Sequence, residues 1–187
     1  MSSHELTPLS YTLFVLIGRD GAGPHDIVRM VRQGRVYQSA AESQYYAEPK
    51  RLERLGYLKA RKQPGKTRQR THYTLTPKAY AALRDWMRTP ATFPRFENNA
   101  IVRLLAADLV GEKPVLGSLT ALRTDIADLR ARLDVAEAMA ETIPHRKKYL
   151  LLNHRLARRL LDAHLEWIDE VERELGPAAA RARRRKH

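Results

Sequence analysis

Nine Lys and Arg side chains fall between positions 50 and 70: Lys50, Arg51, Arg54, Lys59, Arg61, Lys62, Lys66, Arg68 and Arg70. No Asp or Glu occurs from Arg54 to Arg84. Fixed positive charge at this density suits a phosphate backbone, whose condensed counterions are released when cations meet it. A solvated basic face is the plainer reading of a charge run. What decides between them is the local structure that carries the charges.

Other chemistries find little support. The chain has no Cys, which removes disulfides, thiolate nucleophiles and cysteine zinc sites. Its seven His are scattered, with no pair at metal-binding helical spacing. Glu137 and Glu141, like Glu166 and Glu170, lie one helical turn apart and read as solvated charges rather than an acid/base pair. No GxGxxG, P-loop or GxSxG string is present. Neither an enzyme nor a cofactor or metal is expected.

The elements that position the cations run from Ser39 to Thr76. Ser39 and Glu42 stand at capping-box spacing and predict a helix start. Gly56 predicts its left-handed stop. Pro64-Gly65 then marks a tight turn between two short strands. A helix leading into a two-stranded ribbon is the wing arrangement of a DNA-binding winged helix. Within the helix, Tyr45, Pro49 and Leu52 share an inward face, while Ser43, Gln44, Ala47, Lys50, Arg51 and Arg54 share the other. Ser43 and Gln44 are placed to read base edges, and Lys50, Arg51 and Arg54 to hold phosphates. Pro49 lacks an N–H and crowds the Tyr45 carbonyl, so a kink or break is expected there.

Around this stretch the chain reads as helices. Thr7-Pro8 caps and opens the first, apolar through Leu9, Leu13, Phe14, Leu16 and Ile17. Pro24 opens the second, which Gly34 ends. Thr76-Pro77 opens a fourth, with Ala79, Leu83 and Trp86 on its apolar face. The two-proline segment Thr89–Pro94 is the expected linker. Beyond it, Asn98 to Leu109 reads as one short helix closed by Gly111 and Pro114. Leu119, Leu122, Ile126, Leu129, Leu133, Ala136, Ala140 and Ile143 then follow a heptad seam, the expected dimerisation surface. Pro144 stops that seam, and a final helix to about Leu175 carries two apolar stripes. Two stripes imply two partners, the seam helix of the same chain and a second copy.

Charge follows the same division. The net charge is +13, with 16 basic against 7 acidic residues in 1–90, and 13 against 14 in 91–176. The expected organisation is therefore a DNA-binding winged helix over 1–90, a helical dimerisation domain over 91–176 and a basic, disordered tail over 177–187. Apolar residues make up 43% of the chain, enough for packed cores, and no apolar run approaches the ~20 residues of a membrane span. Met1-Ser2-Ser3-His4-Glu5 lacks the pattern of a signal peptide, so a cytoplasmic location and no membrane partner are expected.

The strings LTPLSYTLFVLI, SQYYAEPKRLERLGYL, HYTLTPKAYAALRDWM and LEWIDEVEREL, with the basic wing between them, resemble the PadR-like transcriptional regulators over roughly residues 6–176. The resemblance implies a mainly α chain: an N-terminal winged helix-turn-helix with a two-stranded wing, and an α-helical C-terminal dimerisation domain. It implies a homodimer that represses a promoter by binding a palindromic operator in double-stranded DNA. Release by a small aromatic or amphipathic effector is implied as well. Gln44, Tyr46, Lys50 and Arg51 match the family's reading-helix positions, and Arg68 and Arg70 its wing-tip cations. Trp86, Phe93, Phe96, Tyr149 and Trp167 are candidates to line an effector site. The chain departs from the family where His-Gly-Tyr-Glu often opens the second helix, reading Gly23-Pro24-His25-Asp26, and where Pro49 replaces an apolar residue.

Two rival readings keep the same residues. In one, the basic wing docks on an acidic protein partner. In the other, the arginine-rich tail leads non-specific binding to nucleic acid.

Overall fold

A computed structural model describes residues 6–33, 40–64, 69–94 and 98–176. The chain divides into two compact units, Met1–Phe93 and Pro94–His187, with the division inside the Thr89–Pro94 stretch. The fold is mainly α, with one two-stranded antiparallel sheet.

The first unit holds α1 (Pro8–Ile17), α2 (Pro24–Gln33), α3 (Gln44–Arg54), β1 (Leu58–Gln63), β2 (Arg70–Leu75) and α4 (Pro77–Trp86). Thr7 caps α1: its side chain accepts from the Ser10 N–H, and the Ser10 hydroxyl accepts from the Thr7 N–H at 3.0 Å. Thr76 repeats the device for α4, accepting from the Ala79 N–H. Its hydroxyl also donates to the Gly56 carbonyl at 2.8 Å, which ties the start of α4 to the end of α3. Leu13, Phe14, Ile17, Ile27, Tyr45, Leu52, Tyr57, Leu58, Tyr73 and Ala79 form the buried core between these elements. Burying side chains of this size is what offsets the entropy lost in ordering six short elements.

The end of α3 is a Schellman motif. The Tyr57 N–H bonds to the Leu52 carbonyl and the Gly56 N–H to the Glu53 carbonyl, with Gly56 at φ +78 as the spacing predicts. This sharp stop turns the chain directly into β1, which pairs with β2 so that Leu58 faces Leu75 and Gln63 faces Arg70. A third segment joins the ribbon: Ala22, in the turn between α1 and α2, forms an isolated bridge with Tyr73.

Two expectations for α3 need correction. The helix begins at Gln44 rather than near Ser39; Glu42 lies in a turn and pairs with Arg32 instead of capping. Ser39, like Gly34 and Gly65, lies outside the described residues. Of the kink or break expected at Pro49, the break does not occur: the helix runs through it to Arg54, with Pro49 fully buried beside Tyr45 and Leu52.

The second unit holds α5 (Asn99–Leu105), α6 (Ala107–Val110), α7 (Glu112–Glu141) and α8 (Pro144–Leu175). The single helix expected over 98–109 is two, separated at Ala106, and Pro114 sits in the first turn of α7 rather than closing the preceding helix. Asn98 caps α5 by accepting from the Ala100 N–H at 3.0 Å, and its amide lies 3.3 Å from His164 Nε2. The other His164 nitrogen donates to the Leu160 carbonyl at 2.7 Å, so Nε2 is the acceptor for that amide.

Helices α7 and α8 pack as an antiparallel hairpin. Arg123 reaches Asp169 and Glu172, Arg130 reaches Asp162, Arg158 reaches Asp134 and Glu137, and Lys147 reaches Glu141. These partners move backward along α8 as α7 advances, which fixes the direction. Beside the clasps, Val115, Leu119, Ile126, Leu133 and Ala140 of α7 are buried, as are His154, Ala157, Leu161, Ile168 and Val171 of α8. One row of the predicted seam is thus spent inside the chain. Leu122, Leu129 and Ala136, the other row, are half-buried, and Ile143 lies past the helix end.

Candidate nucleic-acid interface

Exposure along α3 sorts its residues. With Tyr45, Pro49 and Leu52 inward, Ser43, Ala47, Lys50 and Arg54 fall at four-, three- and four-residue steps and are all exposed. They form one outward row. Ser43 takes the N-cap position in helical backbone geometry and makes no side-chain capping bond. Gln44 is exposed, and its side-chain carbonyl accepts from the Ala41 N–H at 3.2 Å. Among the described residues, Lys50 and Arg54 form no ion pair.

Among the described residues, three acids of the helix-turn-helix pair with other cations. Asp26 pairs with Arg29 at 2.7 Å, Glu42 with Arg32 at 2.8 Å and Glu48 with Arg51 at 2.6 Å. Arg51, expected beside Lys50 on phosphate, has its guanidinium bonded to Glu48 and, at 3.1 Å, to the Ser10 hydroxyl on α1. Burial raises the Glu48 carboxyl, but the hydrogen bonds from Arg51 and Ser10 and the Arg51 charge outweigh it and hold it below the usual carboxylate range.

Tyr46 is half-buried on the flank of α3 that meets α2, with its hydroxyl 3.4 Å from His25 Nδ1 and the two rings edge-on at 5.8 Å. His25 therefore stands at the surface where α2 and α3 meet. The wing adds Lys59, Arg61 and Arg70, all exposed, and Lys62, which donates to Thr71 at 3.0 Å. Lys66 and Arg68 lie outside the described residues. What the fold brings together is the outward row of α3, the Tyr46–His25 pair and the basic faces of β1 and β2.

Ser10, Glu48 and His25 are absent from the sequence-derived site. Ser10 had a visible signal: a hydroxyl on the same face as Leu13, Phe14 and Ile17 needs a partner once buried. His25 had none beyond its departure from the family pattern.

The candidate effector aromatics do not converge within either unit. Trp86 stacks on Tyr11 with centroids 4.8 Å apart, and Phe93 is 86% exposed. Tyr149 and Trp167 both lie on α8, eighteen residues and so about 27 Å apart, too far to share one small molecule in one protomer. Phe96 is outside the described residues.

No protein-family model matches the chain, and no curated protein does. Solved structures do match. Bacillus subtilis PadR in complex with operator DNA superposes with a TM-score of 0.72 at 17% identity, covering 91% of this chain and 98% of that one. The Vibrio cholerae virulence activator AphA gives 0.65 at 22%, covering 88% and 96%. Bacillus subtilis PadR in complex with p-coumaric acid gives 0.55 at 19%, covering 91% and 96%. The chain has the fold of these proteins along nearly its whole length.

Proposed function

We infer that this chain is a PadR-like transcriptional regulator that binds double-stranded DNA through α3 and the wing. The observation that carries the reading is the outward row Ser43, Ala47, Lys50 and Arg54, next to a ribbon whose exposed faces carry Lys59, Arg61 and Arg70. Acid in the same helix-turn-helix is largely taken up by Arg29, Arg32 and Arg51. In a major groove, Ser43 and Gln44 at the start of α3 meet base edges, while Lys50 and Arg54 hold the backbone. The fold shared with a protein solved on its operator supports this reading.

Regulation follows from pairing. Tyr149, Leu152 and Leu156 on α8 are 69%, 52% and 53% exposed, a concentration of apolar surface suited to a second copy of the chain. A homodimer sets two reading helices at a fixed spacing and so selects a palindromic operator. A small aromatic or amphipathic effector would release a repressor of this design by favouring a dimer geometry that no longer fits the groove. With no described helix long and apolar enough to cross a membrane, the cytoplasm is the natural setting.

Gel shift with fragments from the region upstream of the protein's own gene tests the function. One fragment should be retained at a salt concentration that frees all others. Equal retention of every fragment would return the protein to the non-specific class.

A further inference from the structure

Among the described residues of the helix-turn-helix, three acid–base pairs are formed, and one is built differently. Asp26–Arg29 and Glu42–Arg32 join side chains that are 44–65% exposed, where ion pairs hold weakly. The Glu48 side chain is only 12% exposed. Its Oε1 accepts from the Ser10 hydroxyl at 2.6 Å and from Arg51 Nη2 at 2.6 Å, and its Oε2 accepts from Arg51 Nε at 2.8 Å. Ser10 is fully buried on α1, and Arg51 Nη2 reaches its oxygen at 3.1 Å. Three side chains therefore close a ring that bridges α1 and α3.

We propose that Glu48 withholds Arg51 from DNA, so that Arg51 is a positioning residue that fixes the reading helix on α1. This rests on the DNA-binding reading above and deepens it. Phosphate contact by the same guanidinium edge would require leaving a carboxylate that is largely out of water, stranding it without its counter-charge. Lys50 and Arg54 face no such cost. The arrangement also separates two tasks that a row of cations on one helix would otherwise mix. The ring fixes the angle of α3 on α1 through directional hydrogen bonds, while the phosphate grip is left to exposed charges.

The salt dependence of binding discriminates, because each phosphate contact adds about 0.9 to the slope of log K against log salt. Wild type, Lys50→Ala, Arg51→Met, Glu48→Gln and Glu48→Gln/Arg51→Met are titrated on one duplex by fluorescence anisotropy, with folding checked by circular dichroism. Lys50→Ala should lower the slope by about 0.9. Arg51→Met should leave it unchanged. Glu48→Gln should raise it by about 0.9 as the freed guanidinium reaches the backbone, and the double variant should return to the wild-type value. A slope lowered by Arg51→Met as much as by Lys50→Ala overturns the proposal, as does an unchanged slope in folded Glu48→Gln. Should Glu48→Gln fail to fold, the Arg51→Met slope decides alone. A wild-type protein with no salt-dependent DNA binding would instead sink the functional reading itself.

Discussion

Ala22 and Tyr73 exchange their backbone hydrogen bonds, each 3.0 Å long, fastening the turn between α1 and α2 to the second strand of the wing. The contact leaves no room for a side chain at the preceding residue. Gly21 has φ +77, and a Cβ there would stand 2.3 Å from His72 Nε2 and 2.6 Å from the Tyr73 carbonyl oxygen. Gly56 has nearly the same backbone angle, φ +78, with nothing within 4 Å of a built Cβ. Gly56→Ala should therefore cost about 1–2 kcal/mol, the left-handed strain alone. Gly21→Ala should cost roughly 3 kcal/mol or more, because the wing must also shift. Urea denaturation of both variants checks the ordering, and equal losses would mean the bridge is not made.

The two apolar surfaces of the helical hairpin should respond differently. Ile126 is 3% exposed between α7 and α8, so Ile126→Ala should destabilise by about 2–5 kcal/mol. Leu156 is 53% exposed, so Leu156→Asp should leave the fold stable. It should nonetheless convert the protein to a monomer by light scattering and weaken operator binding with it. A Leu156→Asp protein that remains dimeric would move the pairing surface elsewhere.

His154 should make the hairpin sensitive to acid. It is 8% exposed, and its Nδ1 has no hydrogen-bond partner among the described residues. Burial pushes its pKa down, Glu137 opposes this, and Arg158 adds to the lowering. The folded state therefore holds a neutral imidazole, while the unfolded chain takes up a proton near the ordinary value of about 6.5. Stability contributed by the neutral ring is complete above that pH and falls as pH drops below it. The urea midpoint should decline from pH 7.5 to 5, and His154→Leu should decline less. The lowered carboxyls of Glu48 and Glu137 act below this window, as the ordinary Glu value of about 4.3 requires. An unchanged pH profile in His154→Leu would contradict the assignment.

The elements were legible where their causes are local. Thr7-Pro8 and Thr76-Pro77 start helices because a hydroxyl and a fixed φ act within one turn, and Gly56 stops one for the same reason. The inward face of Tyr45, Pro49 and Leu52 followed from helical spacing alone. Distant partners were not legible. Glu42 has capping spacing from Ser39, yet the carboxylate is held by Arg32, ten residues back. Arg51 declared its charge but not its partner Ser10, 41 residues upstream. The break at Ala106 has no Gly or Pro to announce it. In the heptad seam, repeat and spacing identified a helix–helix surface but not which of its rows packs on α8 of the same chain.

The start of α3, at Ser43 and Gln44, should select particular DNA. Recovery and sequencing of genomic fragments bound by the wild-type protein and by Ser43→Ala/Gln44→Ala tests it most directly. The wild type should enrich a few fragments sharing an inverted repeat, with half-sites about 10 base pairs or a multiple apart, and the double variant should lose them. Fragments recovered in proportion to their length, or an enrichment untouched by the two substitutions, would contradict it.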